Sequence, residues 1–319
     1  MPDNFVVCVR DVKNGKFIAE PGETRFLSSA DGAVWKPDDA IKKAAWVKAV
    51  VKQATTGKDP QTSKPVGDLL VFVHGYNNSP ETVLPRHEML RANLEAAGFL
   101  GAVVSFDWPS AELAIGYLED RSDAKATALR LVDDCIALFA EMQANDCQIN
   151  VHVLGHSTGA YVIREAFDDA DDRPGVAQNN WTVSQLAFIS GDVSSASMSE
   201  DNSTTESLYR HCVRMTNFTN RLDSVLKISN AKRVGLAPRV GRVGLPADVP
   251  AKAVDVDCSN YFATLNPDPN AIGSFDHSWQ FADPVFAQDL FETIAGNIDR
   301  TLLPTRAVQN GHLILQQPE

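Results

Sequence analysis

Residues 151–159 read VHVLGHSTG, an apolar run that ends in a G-x-S-x-G motif, and a helical pattern over residues 158–169 follows directly. The motif therefore stands where a predicted strand meets a predicted helix. A sharp turn of this kind presents a strained serine at its apex, with Gly155 and Gly159 keeping side chains out of the crowded bend. The first N–H groups of the helix, beginning with that of Thr158, can hold an oxyanion. The pattern predicts Ser157 as a nucleophile; the alternative is a tight turn without chemistry.

A second motif lies upstream, where residues 71–78 read VFVHGYNN. Alone, His74-Gly75 is typical of a turn that ends a strand. Ahead of a G-x-S-x-G motif it favours a second oxyanion donor, which we assign to the Tyr76 backbone N–H.

Short apolar runs alternate with helical patterns along most of the chain. This alternation predicts a mostly parallel, doubly wound α/β sheet with helices on both faces. The predicted strands cover residues 69–73, 102–106, 149–154, 186–189, 213–218 and 254–258, and the predicted helices cover 81–97, 123–142, 158–169 and a last one that begins at Pro284.

The chain of 319 residues is predicted to form a single domain. Residues 67–300 are expected to form its core and residues 301–319 a C-terminal tail. Residues 1–66, with a strand at 5–12 and a helix at 37–54, are taken as an edge extension, since so small a separate domain is hard to stabilise.

Charge and composition exclude several function classes. The formal net charge is -12, which argues against binding to nucleic acid or to an anionic membrane surface. The five cysteines are scattered, without the paired spacing of a zinc or redox site. Neither a signal peptide nor an apolar run near the ~20 residues of a membrane span is evident. We expect a cytoplasmic protein.

Four motifs carry a resemblance to a known family: HGYN at 74–77, SFDWPS at 105–110, GHSTG at 155–159 and NRLDSVL at 220–226. Over residues 65–300 the chain resembles the α/β-hydrolase superfamily, and within it the DUF900-type esterase/lipase-like branch. The resemblance implies the α/β-hydrolase fold and a Ser-Asp/Glu-His triad in that chain order, with no cofactor and no metal.

The resemblance also implies where the base and the acid lie. The base follows the last core strand and precedes the final helix, which is the place of His277. The acid follows a strand downstream of the nucleophile. Asp223 is our first choice, although its sequence also fits a helix N-cap, and Asp192 is the alternative acid. His74, Trp108 and His156 are expected near the substrate pocket.

The predicted reaction is the hydrolysis of a small-molecule carboxylic ester through an acyl-enzyme on Ser157. Only about twenty residues separate the strands predicted at 186–189 and 213–218, so we expect a small cap or none. The same triad could serve an acyltransferase or an amidase. A member of the fold that binds a ligand or a protein without catalysis is the alternative from another class.

Overall fold

A computed structural model describes residues 3–110, 125, 127–136, 138, 148–173, 181–231, 237–268 and 271–318. Twelve strands within these residues form one mixed sheet. The strands are β1 (Asn4–Lys13), β2 (Lys16–Ser29), β3 (Ala40–Ile41), β4 (Thr55–Lys58), β5 (Pro65–Val73), β6 (Ala102–Asp107), β7 (Gln148–His156), β8 (Val183–Ile189), β9 (Cys212–Thr219), β10 (Ala253–Asp257), β11 (Arg306–Gln309) and β12 (His312–Leu315).

Nine α-helical segments can be described in the same residues. They are α1 (Lys43–Ala54), α2 (Pro80–Ala97), α3 (Thr158–Asp171), α4 (Ser203–Arg210), α5 (Ser224–Ala231), α6 (Val240–Val243), α7 (Ser259–Phe262), α8 (Phe275–Ser278) and α9 (Pro284–Ala295). As predicted, α9 begins at Pro284, and its N-cap residue Asp283 accepts a hydrogen bond from the backbone N–H of Phe286.

The strand order is β11-β12-β10-β9-β8-β7-β5-β6-β1-β2-β3, with β4 paired to β5. From β12 to β1 all neighbours in this order are parallel. The chain proceeds from β5 to β6 on one side and then returns to place β7 on the other. The carboxyl ends of β5 and β7 therefore flank a topological switch point, where ligands bind in open parallel sheets.

Helices cover both faces of the sheet because the buried strands are apolar on both faces. On β5, Val71 and Val73 pack in the core that also contains Trp46 of α1 and residues of α3. Leu70 and Phe72 point the other way, into the core formed with α2 and α9. The predicted doubly wound α/β fold is confirmed.

The N-terminal residues extend the edge of this sheet. The predicted strand at 5–12 corresponds to β1, which lies parallel to β6, and β2 and β3 continue outward in antiparallel fashion. The expectation of a continuous helix over residues 37–54 was wrong in its first turn. Residues 37–39 form a 3₁₀ turn and β3 pairs Ala40 and Ile41 with β2, so α1 begins only at Lys43.

The helix predicted at 123–142 lies partly outside the described residues. Its central part is a π-helical turn over Leu131–Ile136. Around this turn Ala128, Leu131, Val132 and Cys135 are buried, whereas Leu129 is exposed.

The expectation that residues 301–319 form a tail is corrected. β11 and β12 pair as an antiparallel hairpin, and β12 lies parallel to β10. Arg306 of β11 anchors this hairpin to α9, because its Nη2 and Nε atoms lie 2.6 and 2.8 Å from the two carboxylate oxygens of Asp289. Both side chains are fully buried.

The segment between β8 and β9 is described throughout and is short. It contains a 3₁₀ turn (Ser195–Met198) and α4, and Ser207 of α4 is hydrogen-bonded through its hydroxyl to the carbonyl oxygen of Phe167 in α3. The segment thus packs on the body of the fold, as expected for a small cap. Along the described part of the chain, no helix combines the length and apolarity needed to cross a bilayer.

We predict that Arg306→Met lowers the free energy of unfolding by about 3–5 kcal/mol, because it leaves the Asp289 carboxylate buried without its cation. Urea denaturation measures the change. Arg210→Met is the matched control, since Arg210 is half exposed in its ion pairs with Asp171 and Glu206 and should contribute no more than about 1 kcal/mol. Equal losses in the two variants would contradict the assignment of the hairpin to the folded core.

Candidate active site

Ser157 lies at the sharp turn between β7 and α3, at the switch point of the sheet. Its backbone has φ 55° and ψ -124°, a conformation that costs a residue with a side chain about 1–3 kcal/mol. Two hydrogen bonds hold the turn: the Ser157 N–H donates to the carbonyl oxygen of Ile189 at 3.1 Å, and its own carbonyl accepts from the N–H of Asp192 at 2.9 Å. The neighbouring strand β8 thus fixes the strained serine.

Glycine at 159 brings α3 against the end of β5. A Cβ atom there would lie 2.2 Å from the carbonyl oxygen of Val73 and 2.6 Å from that of His74. Neither oxygen can withdraw, since both belong to the backbone of a central strand and its continuation. Any side chain at this position would therefore separate the predicted nucleophile from the loop that follows β5.

His277 and Asp223 come together from separate loops. The Nδ1 atom of His277 lies 2.7 Å from Oδ2 of Asp223, and Asp223 is fully buried. A carboxylate only accepts, so Nδ1 carries the proton, and the neutral form of the imidazole keeps its lone pair on Nε2. The other oxygen of Asp223 accepts from the backbone N–H of Leu226 at 2.9 Å and caps α5. The two interpretations of Asp223, as an acid and as an N-cap, are therefore compatible.

His156, the residue before the predicted nucleophile, supports the loop of His277. Its Nε2 donates to the backbone carbonyl of His277 at 3.0 Å, and the two rings lie 4.9 Å apart. Burial, reinforced by the proximity of His277 and Arg86, holds the pKa of His156 well below its usual value. His156 thus stays neutral.

Ser157 and His277 are each 7% exposed. The structure describes both side chains, and no hydrogen bond joins Ser157 Oγ to His277 Nε2. Contacts between a nucleophile and its base are often long in free enzymes and shorten when substrate binds.

The loop after β5 lies beside Ser157. A Cβ atom on Gly75 would be 2.6 Å from Cβ and 3.2 Å from Oγ of Ser157, so the Gly75–Tyr76 peptide adjoins the serine side chain. Thr158 is the first residue of α3, and its N–H precedes the first intrahelical hydrogen bonds. The predicted oxyanion donors therefore come from the two segments that meet at Ser157.

His74, Trp108 and His156, which were expected near the substrate pocket, are almost completely buried, with exposures of only 0 to 1%. Trp108 stacks on His74, with ring centroids 5.5 Å apart, and donates through its indole nitrogen to the His74 carbonyl at 2.7 Å. These side chains lie beneath the site and support the loop after β5.

The alternative acid Asp192 has a different partner. Its carboxylate lies 3.0 Å from Nε of Arg239, and both side chains are buried. Arg239 directly precedes α6 and is far from Asp192 in sequence. No local sequence pattern therefore predicts this ion pair.

A buried polar network that was not predicted from the sequence lies beneath the loop. Asp107 accepts hydrogen bonds from Arg10 at 2.7 Å and from Trp35 at 2.9 Å, and Arg10 also donates to the carbonyl oxygen of Asn78 at 2.5 Å. Arg86 donates to the side-chain oxygen of Asn78. Asp107 lies in the SFDWPS motif and Asn78 directly follows the HGYN motif, so the sequence carried a signal for these two residues. Nothing in the sequence marks Arg10 or Arg86.

Comparison with known families identifies the fold. The family model described as "Alpha/beta hydrolase of unknown function (DUF900)" matches residues 52–255. The chain belongs to this family. This confirms the resemblance drawn from the HGYN, SFDWPS, GHSTG and NRLDSVL motifs. No curated protein matches the chain.

Solved structures similar to this α/β hydrolase include three with low sequence identity. A dienelactone hydrolase from Anabaena variabilis is 18% identical, with 73% of this chain and 88% of that one covered and a TM-score of 0.38. A cutinase-like protein from Cryptococcus sp. is 15% identical, covering 74% and 96% at a TM-score of 0.37. TT1662 from Thermus thermophilus is 13% identical, covering 93% and 98% at a TM-score of 0.42.

The strained turn yields a prediction that does not depend on activity. Ser157→Gly should be more stable than Ser157→Ala by about 1 kcal/mol, because glycine adopts a positive φ without penalty and this outweighs its greater freedom in the unfolded chain. Urea unfolding of the two variants measures the difference. If alanine proved as stable as glycine here, the turn would not be strained.

Proposed function

We propose that this α/β hydrolase cleaves carboxylic esters of small molecules through an acyl-enzyme on Ser157. His277 acts as the general base, Asp223 orients it, and the backbone N–H groups of Tyr76 and Thr158 stabilise the oxyanion. The observation that carries the proposal is the 2.7 Å contact between Asp223 and His277, which gives a buried carboxylate–imidazole pair next to a strained serine.

The proposed reaction proceeds in two halves. Ser157 Oγ attacks the ester carbonyl while His277 Nε2 takes its proton, and the tetrahedral intermediate carries its negative charge toward the two N–H donors. Collapse expels the alcohol, which receives the proton from His277. Water, deprotonated by the same imidazole, then attacks the acyl-enzyme, and the acid product leaves with Ser157 restored.

Two features favour Asp223 over Asp192 as the acid. Asp223 contacts the imidazole directly, whereas the carboxylate of Asp192 forms a buried ion pair with Arg239. The backbone of Asp192 is nonetheless bonded to Ser157, so we assign Asp192 a role in holding the turn.

The nucleophile can be tested directly. A fluorophosphonate probe should label the full-length protein at Ser157, as mapped by mass spectrometry, and short-chain p-nitrophenyl esters should be hydrolysed. Ser157→Ala should lose both properties, because the attacking oxygen is removed. Ser28→Ala, which removes a serine hydroxyl from β2 at the edge of the sheet, is the control and should retain both. A folded wild-type protein that neither reacts with the probe nor turns over esters would support the ligand-binding alternative instead.

Kinetic measurements on variants can distinguish the two candidate acids. Asp223→Asn should lower kcat by about 10⁴-fold, since the amide no longer holds the proton on Nδ1 of His277. Asp192→Asn should leave kcat within about tenfold of the wild type and instead lower the free energy of unfolding by about 3–5 kcal/mol, because the buried guanidinium of Arg239 then faces a neutral amide in place of a carboxylate. Measurements of kcat and of urea denaturation for both variants decide which aspartate is the acid. The reverse pattern would assign the acid to Asp192.

A further inference from the structure

The peptide between Gly75 and Tyr76 is held from its carbonyl side. The Gly75 carbonyl oxygen is bonded to Nδ1 of His74 at 2.8 Å and to Nδ2 of Asn78 at 2.7 Å. In a trans peptide the C=O and the N–H of the next residue point in opposite directions. Two hydrogen bonds on the oxygen therefore fix the direction of the Tyr76 N–H, the proposed oxyanion donor beside Ser157.

The orientation of the Asn78 amide depends on Arg86. An asparagine side chain can place either its oxygen or its nitrogen toward a neighbour, and the hydrogen-bond network decides which. Arg86 Nη1 lies 2.5 Å from Oδ1 of Asn78, and a guanidinium has donors only. The oxygen must therefore face Arg86, which turns the amide nitrogen toward the carbonyl oxygens of Gly75 and Tyr76.

The backbone of Asn78 leaves little other freedom. Its N–H donates to the Ser110 hydroxyl at 3.0 Å, and its carbonyl accepts from Arg10 Nη2. With the main chain fixed at both polar atoms, rotation of the amide is the movement left to this side chain, and Arg86 is the residue that sets it.

Arg86 also reaches the loop that carries His277. Its Nη2 donates to the carbonyl oxygen of Ile272 at 2.9 Å and lies 3.5 Å from the Ser278 hydroxyl. The guanidinium lies over the ring of Phe281, and Arg86 is only 6% exposed. No carboxylate among the described residues lies within ion-pair distance of it, so every hydrogen bond that it makes there goes to a neutral group of one of the two loops.

Taken with the proposed function, on which this inference rests, these contacts indicate a function for Arg86 of α2. We infer that Arg86 is a positioning residue that acts through Asn78 to fix the Gly75–Tyr76 peptide, and with it the oxyanion donor, relative to Ser157. Arg86 touches neither Ser157 nor the proposed reacting atoms. Its effect should fall on the transition state and leave binding of the ester unchanged.

The test compares kcat, KM and the inhibition constant of an aryl trifluoromethyl ketone, which forms a hemiketal oxyanion with an active serine. In Arg86→Met, kcat should fall about 10²-fold and the ketone should bind about 10²-fold more weakly, as for loss of one oxyanion donor, with KM within about twofold. Asn78→Ala should give the same pattern. The double variant should cost no more than either single change, because both act on one peptide.

Arg91→Met is the matched control. Arg91 is a second buried arginine of α2, but it bonds to Asn4 and Asp31 at the edge of the sheet. This variant should lose stability without changing kcat or ketone affinity. If Arg86→Met does not fold, Arg86→Lys replaces it, with a fall of about tenfold in both quantities, since an ammonium lacks the planar fork that reaches both loops.

The outcomes separate the two claims. If the wild type hydrolyses esters at Ser157 while the Arg86 variants match Arg91→Met in kcat and ketone affinity, the inference is overturned and the proposed function stands. Losses that multiply in the double variant also overturn it, because Arg86 would then not act through Asn78. A wild type without turnover or labelling removes the proposed function and this inference together.

Discussion

The rest of the site depends on the close contact between the first turn of α3 and the end of β5. Because residue 159 is a glycine and has no Cβ atom, the helix lies directly against the carbonyl oxygens of Val73 and His74. The same approach places Gly75 on the Ser157 side chain. Two segments that are far apart in sequence thereby share one small volume at the switch point of the sheet. The strain of Ser157 is tolerated because β8 bonds to its backbone on the opposite side.

Buried charge holds this contact from below. Burial by itself raises the pKa of Asp107, but the charge of Arg10 and the hydrogen bonds that the carboxylate accepts outweigh it and bring the pKa to about 2. Asp107 therefore remains a carboxylate beneath the loop. Arg10 lies in β1, outside residues 52–255 that match the family. The N-terminal strand is thus more than an edge extension, since it supplies the cation that bonds to both Asp107 and Asn78.

Much of the fold was predictable because it depends on local patterns: apolar runs give strands, and G-x-S-x-G between a strand and a helix gives the turn at Ser157. The relation of Asp223 to His277 was anticipated from the resemblance to the α/β hydrolases, which implies the order of the triad along the chain. The sequence already favoured Asp223 over Asp192, but the ion pair of Asp192 with Arg239 could not be anticipated, because the two residues are distant in sequence. The hairpin at residues 306–315 was missed for the same reason. Its two short strands have only a weak hydrophobic pattern. They are held in the sheet by the pairing of β12 with β10 and by the contact of Arg306 with Asp289.

The proposed mechanism requires an oxyanion site that already exists at Ser157 before any ester binds. The most direct test is a crystal structure of the protein after reaction with an alkyl fluorophosphonate. We expect phosphorus bonded to Ser157 Oγ, with the phosphoryl oxygen about 2.7–3.1 Å from the backbone nitrogens of Tyr76 and Thr158 and the loop after β5 unmoved. A phosphoryl oxygen directed to solvent or to other donors, or a loop that has to rebuild around the adduct, would contradict it.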